Sequence, residues 1–303
     1  MQVLGRAVTR RGWAVLGAAA LGLVVLVAAV VVLATEAPRL IPGSPDCTVE
    51  VSGREVELST EQAETAATIS AAVVRRGMPA RAASIATAAA WTERDLERSG
   101  DVSSYLGALG DVPDYRGMRV EEAAAAVDGA SQEEADYAEH AADARVVASA
   151  LTGSSRAVLS CRHGSAGDEE GDRLNRRGLT ARAETVRSGL RKAFGSQMLG
   201  GFAPGGVKDG HMPGSAHYEG RAIDVFFRPI RPAQKVKGWA TAHYLVAHAD
   251  RLAVDTVIFD GRIWTHRRAF QGWRTYQVDT SGKSRDVAAI LEHRDHVHVD
   301  VAD

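Results

Sequence analysis

The chain lacks an excess of charge of either sign. Its 36 lysines and arginines nearly balance 38 aspartates and glutamates, for a formal net charge of −2. The two signs are mixed along the sequence, so no basic stripe marks a nucleic-acid surface. Cysteine is scarce: Cys47 and Cys161 are the only two, which limits the chain to one internal disulfide. Internal repeats are absent, which excludes a solenoid or a propeller.

What the chain does have is length. Its 303 residues leave room for two modest domains and an anchor. Gly12 to Thr35 carries no charged residue, and about 20 apolar residues suffice to cross a bilayer. Arg6, Arg10 and Arg11 precede this run. The positive-inside rule then keeps the N-terminus cytoplasmic and sends everything after Glu36 outside. Ala34 and Ala37 are small residues near a conceivable cleavage point, but the run exceeds the roughly 7–15 residues of a signal-peptide core. The expectation is a retained transmembrane helix, and so a single-pass cell-membrane protein with extracytoplasmic domains. In that oxidising compartment Cys47 and Cys161 would pair. So long a closed loop would contribute on the order of 4 kcal/mol.

Composition and periodicity divide the chain. Residues 1–35 read as a cytoplasmic tip and transmembrane anchor, and 36–46 as a Pro- and Gly-containing linker. Residues 47–161 read as an all-α domain. Ser59 with Gln62 forms a capping box before an Ala/Ile/Val-periodic helix that stops at Gly77. Pro79 suits the first turn of a second helix, which reaches about Glu97. Arg119–Val127 reads as a third. Ser131 with Glu134 opens a fourth that runs to Gly153. Residues 162–176 are a polar, Gly-rich linker.

The pattern changes over residues 177–303. Helices are predicted at Thr180–Phe194 and Pro232–Leu252. Strands are predicted at Arg221–Phe227, at a hairpin turning on Asp260-Gly261, and at His296–Val301. Segregated strands and helices argue for an α+β fold.

Two motifs in this half carry chemistry. Ser215 to Asp224 reads SAHYEGRAID, with His217 and Asp224 around a Gly-containing turn. His296 to Asp300 reads HVHVD. Strand side chains alternate, so His296, His298 and Asp300 share one face while Val297, Val299 and Val301 share the other. Asp224 sits among Ile223, Val225 and Phe226. A carboxylate there needs a partner, either a metal or a basic group such as Arg221. Two imidazoles and a carboxylate can hold zinc and leave a coordination position open, as catalytic sites do.

Together the motifs resemble the zinc D-Ala-D-Ala metallopeptidases, the group that includes the Hedgehog peptidase-like fold. The signature SxHxxGxAxD, followed much later by HxH, fits at every fixed position. The resemblance covers about Arg177 to Asp303. It implies Zn2+ held by His217, Asp224 and His298, and peptidoglycan stem peptides as substrate. It also implies a base that takes a proton from a metal-activated water. Relatives use either a Glu at the position of Asp295 or the first His of HxH, here His296. Alternation places His296 on the ligand face and favours it, with Asp295 second. Ser215, Arg221 and His211 are expected to contact substrate or support the ligands. One departure concerns the upstream Arg with which carboxypeptidases of the group grip a substrate carboxylate. Gly200 to Pro204 has none, which leaves Arg221 or Lys208 as substitutes.

Leu58 to Cys161 resembles a lysozyme-like domain of actinobacterial cell-envelope proteins. LSTEQAETAATISAAVVRRGMPARAASIATAAAWTERDL, ADYAEHAADARVVASALTG and the closing Cys161 carry the likeness. Glu93 falls where such domains keep a catalytic acid, but the segment that builds their sugar cleft is missing. The leading expectation is therefore a membrane-anchored zinc peptidase standing on a degenerate lysozyme-like domain. A non-catalytic cell-wall-binding or scaffold protein is the alternative, and a lytic transglycosylase acting through Glu93 is the third reading.

Overall fold

Eight α-helices and two antiparallel sheets make up the described part of the chain. The computed structural model describes residues 46–129, 133–162 and 173–303. The first sheet has three short strands in the order β2-β1-β3: β1 is Cys47–Val51, β2 is Arg54–Leu58 and β3 is Leu159–Cys161. Cys47 and Cys161 face each other across the β1–β3 pair and are joined by a disulfide. The bond ties the start of this half to its end.

Five helices lie between β2 and β3: α1 (Thr60–Arg75), α2 (Ala80–Arg94), α3 (Val102–Asp111), α4 (Val120–Asp128) and α5 (Glu134–Leu151). The Ser59 hydroxyl accepts from the Gln62 amide and the Gln62 side chain accepts from the Ser59 amide. That exchange satisfies donors left open at the start of α1. Small buried alanines of α2 let its axis pack closely against α5. The cap expected at Ser131 lies outside the described residues; the observed cap of α5 is Glu133, with Asp136 reaching back to its amide.

The second sheet has six strands in the order β4-β5-β9-β6-β7-β8. They are β4 (Leu199–Gly200), β5 (Ala222–Phe226), β6 (Val254–Phe259), β7 (Arg262–Thr265), β8 (Arg274–Thr275) and β9 (His296–Val301). Helices α6 (Ala181–Phe194), α7 (Pro232–Ala247) and α8 (Arg285–Leu291) complete this half. Asp260 and Gly261 both take positive φ in the β6–β7 turn, as a type I′ hairpin demands. Ile223, Val225, Val257, Val297, Val299 and Val301 form the buried side of the sheet. Helix α7 covers β6 and β9 on one side and meets α1, α5 and β3 on the other. Asp46–Asp303 is thus one compact unit with a shared core.

Two expectations are corrected. The segment 47–161 is not all-α, because its ends form the three-stranded sheet. The expected membrane span at Gly12–Thr35 lies outside the described residues, and no helix among the described residues is long and apolar enough to cross a membrane. The 18-residue α5 is the longest of them, and it carries Glu134, Asp136, Glu139, Asp143 and Arg145. The described residues therefore do not support the expected single-pass anchor or membrane location.

Candidate metal centre

Strand pairing builds the site. In the antiparallel β5–β9 register Asp224 lies opposite His298, Phe226 opposite His296, and Ala222 opposite Asp300. Directly opposed residues project to the same face, so one side of the sheet gathers a carboxylate and two imidazoles. His217 reaches them from a 3-10 turn, Ala216–Glu219, whose first amides are capped by the Ser215 hydroxyl. Gly220 ends that turn at φ +70°, and a Cβ there would sit 2.5 Å from the Gly178 carbonyl oxygen. Glycine is required at that point of SAHYEGRAID because the chain must turn left-handed against a backbone carbonyl.

Three ligand atoms converge. His217 Nε2 lies 3.1 Å from His298 Nδ1 and 3.3 Å from Asp224 Oδ1, and His298 Nδ1 lies 3.1 Å from Asp224 Oδ1. Tetrahedral bonds of about 2.0–2.1 Å place ligand atoms roughly 3.3 Å apart, so the triangle has the dimensions of a metal-binding shell. The outer nitrogen of each ring is also engaged. His217 Nδ1 donates to the Gly201 carbonyl at 2.7 Å. His298 Nε2 lies 2.7 Å from Asp300 Oδ1, a close charge contact rather than an aligned hydrogen bond. Such contacts fix which nitrogen keeps its lone pair for a metal. His211 joins the group: one ligand atom from each of His211, His217 and Asp224 lies within 4.8 Å of the others. These three residues could hold a metal ion. The His211 ring stacks on His217 with centroids 3.9 Å apart, and Tyr218 holds its loop by donating to the His211 carbonyl.

The electrostatics favour a cation. Burial works against the Asp224 carboxylate, but His217 and His298 outweigh it and hold its pKa well below the usual carboxylate range. Burial pulls His298 down, yet Asp300 and Asp224 outweigh burial and push it up to about 10. The carboxylates that attract a proton there attract a metal ion equally, and the two compete for the site.

His296 sits beside the ligands. Its Nε2 is 3.8 Å from Asp224 Oδ1, and its Nδ1 is 2.7 Å from Asp295 Oδ1. Asp295 lies just before β9 and lines an adjoining recess rather than the metal cleft. Its second oxygen accepts from Arg228 Nε at 2.5 Å. Burial raises the Asp295 pKa, but His296 and Arg228 outweigh it and keep the group ionised.

The ligands line a cleft of about 750 Å3, whose walls include Ser215, Phe226, Arg228, Ile258, Tyr276, Ile290 and His293. Arg221 is not part of it; it is tied to Glu219, the Val301 carbonyl and Asp303. Sequence reasoning missed His293, Arg228 and the Gly201 carbonyl. His293 precedes the strand, so alternation says nothing of it. Its ring lies 4.6 Å from that of His296, and burial, with His298 and His296 nearby, pushes it down to about 3. Glu93 lines a separate recess of about 340 Å3 with Asp128 and Tyr105. Burial, then Asp128, raise its pKa against the pull of Arg94.

Neither a curated protein nor a solved structure matches the chain. The model of one protein family does match part of it, over a stretch that contains His211, His217, Asp224 and Arg228 and ends before Asp295, His296 and His298. Over residues 175–287 the chain is similar to the family described as VldE, C-terminal domain.

Proposed function

We propose that this chain is a zinc-dependent peptidase that cleaves peptidoglycan stem peptides. The observation that carries the reading is the triangle of His217 Nε2, Asp224 Oδ1 and His298 Nδ1, with edges of 3.1–3.3 Å and the outer nitrogens already engaged. Three protein ligands leave a tetrahedral ion one free position. With zinc bound there, the site would gain a Lewis acid that polarises a carbonyl and lowers the pKa of a water.

The remaining steps fall to side chains. Asp295 accepts from His296 Nδ1–H, which leaves Nε2 facing the ligands with a lone pair. His296 is then the base that takes the water proton, and as an imidazolium it can return that proton to the leaving amine. Asp295, outside the cleft lining and paired with Arg228, holds the imidazole rather than acting as the base. His211 serves as a further ligand or as a wall against which His217 stacks. The motif pair SAHYEGRAID and HVH, which resembles that of the zinc D-Ala-D-Ala metallopeptidases, supports peptide rather than ester or phosphate substrates.

Incubation of the zinc-loaded protein with purified muropeptides tests this. The wild type should release shortened stem peptides, and His217→Ala and His296→Ala should each lower the rate at least about 100-fold. If all three proteins give the same products, the peptidase reading fails. Zinc binding without product release would favour a non-catalytic wall-binding module. The Glu93 recess supports a second reading, a lytic transglycosylase, because burial and Asp128 keep that carboxyl inclined to hold a proton. Anhydro-muropeptides whose release is abolished by Glu93→Gln would identify it.

A further inference from the structure

Beside α6 lies a recess that the metal chemistry does not use. Arg187 and Arg191 stand one turn apart on α6 and Arg177 reaches in from the turn before it, while Gln197, Leu199 and Phe202 complete the walls around about 240 Å3. The lining holds three guanidinium groups and no carboxylate. Glu184, outside the lining, ties two of the three. Arg187 Nη2 lies 2.6 Å from Glu184 Oε1 and Nε 2.9 Å from Oε2, and Arg177 Nη1 lies 3.5 Å from Oε1. The Arg177 turn is itself fixed. Asn175 Oδ1 accepts from the Arg177 and Leu179 amides, and a Cβ on Gly178 would sit 1.9 Å from the Ala203 carbonyl oxygen, so this turn packs directly on the loop after Phe202.

Arg191 makes no ion pair and no side-chain hydrogen bond among the described residues. Three guanidiniums that share one carboxylate leave two positive charges uncompensated. Cations also favour the C-terminus of a helix, which would account for Arg191 and Lys192 alike. It does not account for Arg177 or Arg187, and the α6 carbonyls at that end are already engaged. The Arg191 carbonyl accepts from the Gly195 amide and the Lys192 carbonyl from Arg75 Nη1, each at 3.0 Å.

Gln197 supplies an independent observation. Its Oε1 is buried and has no hydrogen-bond partner, although a buried acceptor is costly to leave unpaired. An occupant that satisfies the whole lining therefore carries anionic oxygens for the guanidiniums and a hydroxyl for Gln197. A carboxylate brings one negative charge. A phosphate monoester brings nearly two, on oxygens that take planar guanidiniums in pairs, and so matches the uncompensated charge.

We propose that this recess binds a phosphate monoester of a small polyol or sugar, with Arg177, Arg187 and Arg191 holding the phosphate and Gln197 accepting from a hydroxyl of the ligand. The site stands apart from the peptidase reading, although the two adjoin along the chain: Leu199 and Phe202 flank Gly201, whose carbonyl accepts from His217.

Calorimetric titration of the full-length chain at pH 8 tests this, with a chelator present so that no metal contributes. The probes are glycerol 3-phosphate, methyl phosphate and acetate. One glycerol 3-phosphate per chain should bind, at least about tenfold more tightly than acetate and about fivefold more tightly than methyl phosphate, which lacks the hydroxyl. Arg191→Gln should weaken glycerol 3-phosphate at least about tenfold. Lys192→Gln, which removes the same charge next to the recess but outside its lining, should change it less than about threefold. Gln197→Leu should bring glycerol 3-phosphate to the affinity of methyl phosphate. The proposal is overturned by no saturable binding of glycerol 3-phosphate, by acetate or methyl phosphate binding as tightly, by equal losses in Arg191→Gln and Lys192→Gln, or by an undiminished preference over methyl phosphate in Gln197→Leu. None of these outcomes bears on the peptidase reading, which the muropeptide assay decides.

Discussion

Gly201 shows how closely the candidate metal centre is fitted at the scale of one residue. Its carbonyl accepts from His217 Nδ1, and a Cβ on it would lie 2.2 Å from His217 Cε1 and 2.5 Å from Nδ1. The ring or the backbone must shift to relieve that overlap, and the ring's contacts with Asp224 and His298 stand in the way. Gly201→Ala should therefore weaken zinc binding by about 10–100-fold, the range typical of lost support for a ligand. Gly205→Ala is the control, because Gly205 has the same positive φ with nothing within 4 Å. Equal zinc affinity in the two variants, measured by competition with a chromophoric chelator, would show that His217 is not positioned in this way. Gly201 carried no signal in the sequence beyond a Gly pair before Phe202. His217 and Asp224 did, because a His in a turn and a carboxylate on an apolar strand both demand partners.

At the scale of elements, strand β9 was the most legible part of the chain. Its period of two separates valines from His296, His298 and Asp300, and the observed strand follows that split. Asp295 was harder to read, since alternation assigns a face only to residues within the strand. Strands β1 and β2 escaped notice although Thr48–Leu58 alternates around Ser52-Gly53, both at positive φ. The charged residues on their exposed face masked the pattern. Helix α7 carries a feature no periodicity reveals. His243 is completely buried, donates from Nδ1 to the Ala150 carbonyl at the end of α5, and packs near Trp239 and Trp273. Burial pushes its pKa down to about 4, against about 6.5 in an unfolded chain. Below pH 6.5 the unfolded chain takes up a proton that the native chain refuses, so this stabilisation is complete above pH 6.5 and is lost as the pH falls toward 4. Between pH 7 and 5 the wild type should lose about 2 kcal/mol more than His243→Gln. Urea titrations at the two pH values measure this, and parallel losses would mean that His243 is protonated in the fold.

At the scale of the molecule, the chain from Asp46 onward packs as one body around a metal-ready cleft. Trp264 and Trp273 illustrate the difference between sequence and structure. They are plausible cleft residues by composition, yet they donate to Ser160 and to the Leu159 carbonyl and bind β3 to the larger sheet. Tyr276 does line the cleft. Such sorting depends on which half of the chain a residue meets, and local patterns do not encode that. The disulfide partners were legible because only two cysteines exist, whereas the sheet they pin was not.

The whole reading stands on the metal centre, and the most direct measurement is a zinc titration of the metal-stripped protein against a chromophoric chelator. One zinc per chain should bind, and Asp224→Asn and His298→Ala should each weaken it by at least about tenfold. Absence of zinc binding, or binding that neither substitution alters, would contradict a centre built from His217, Asp224 and His298.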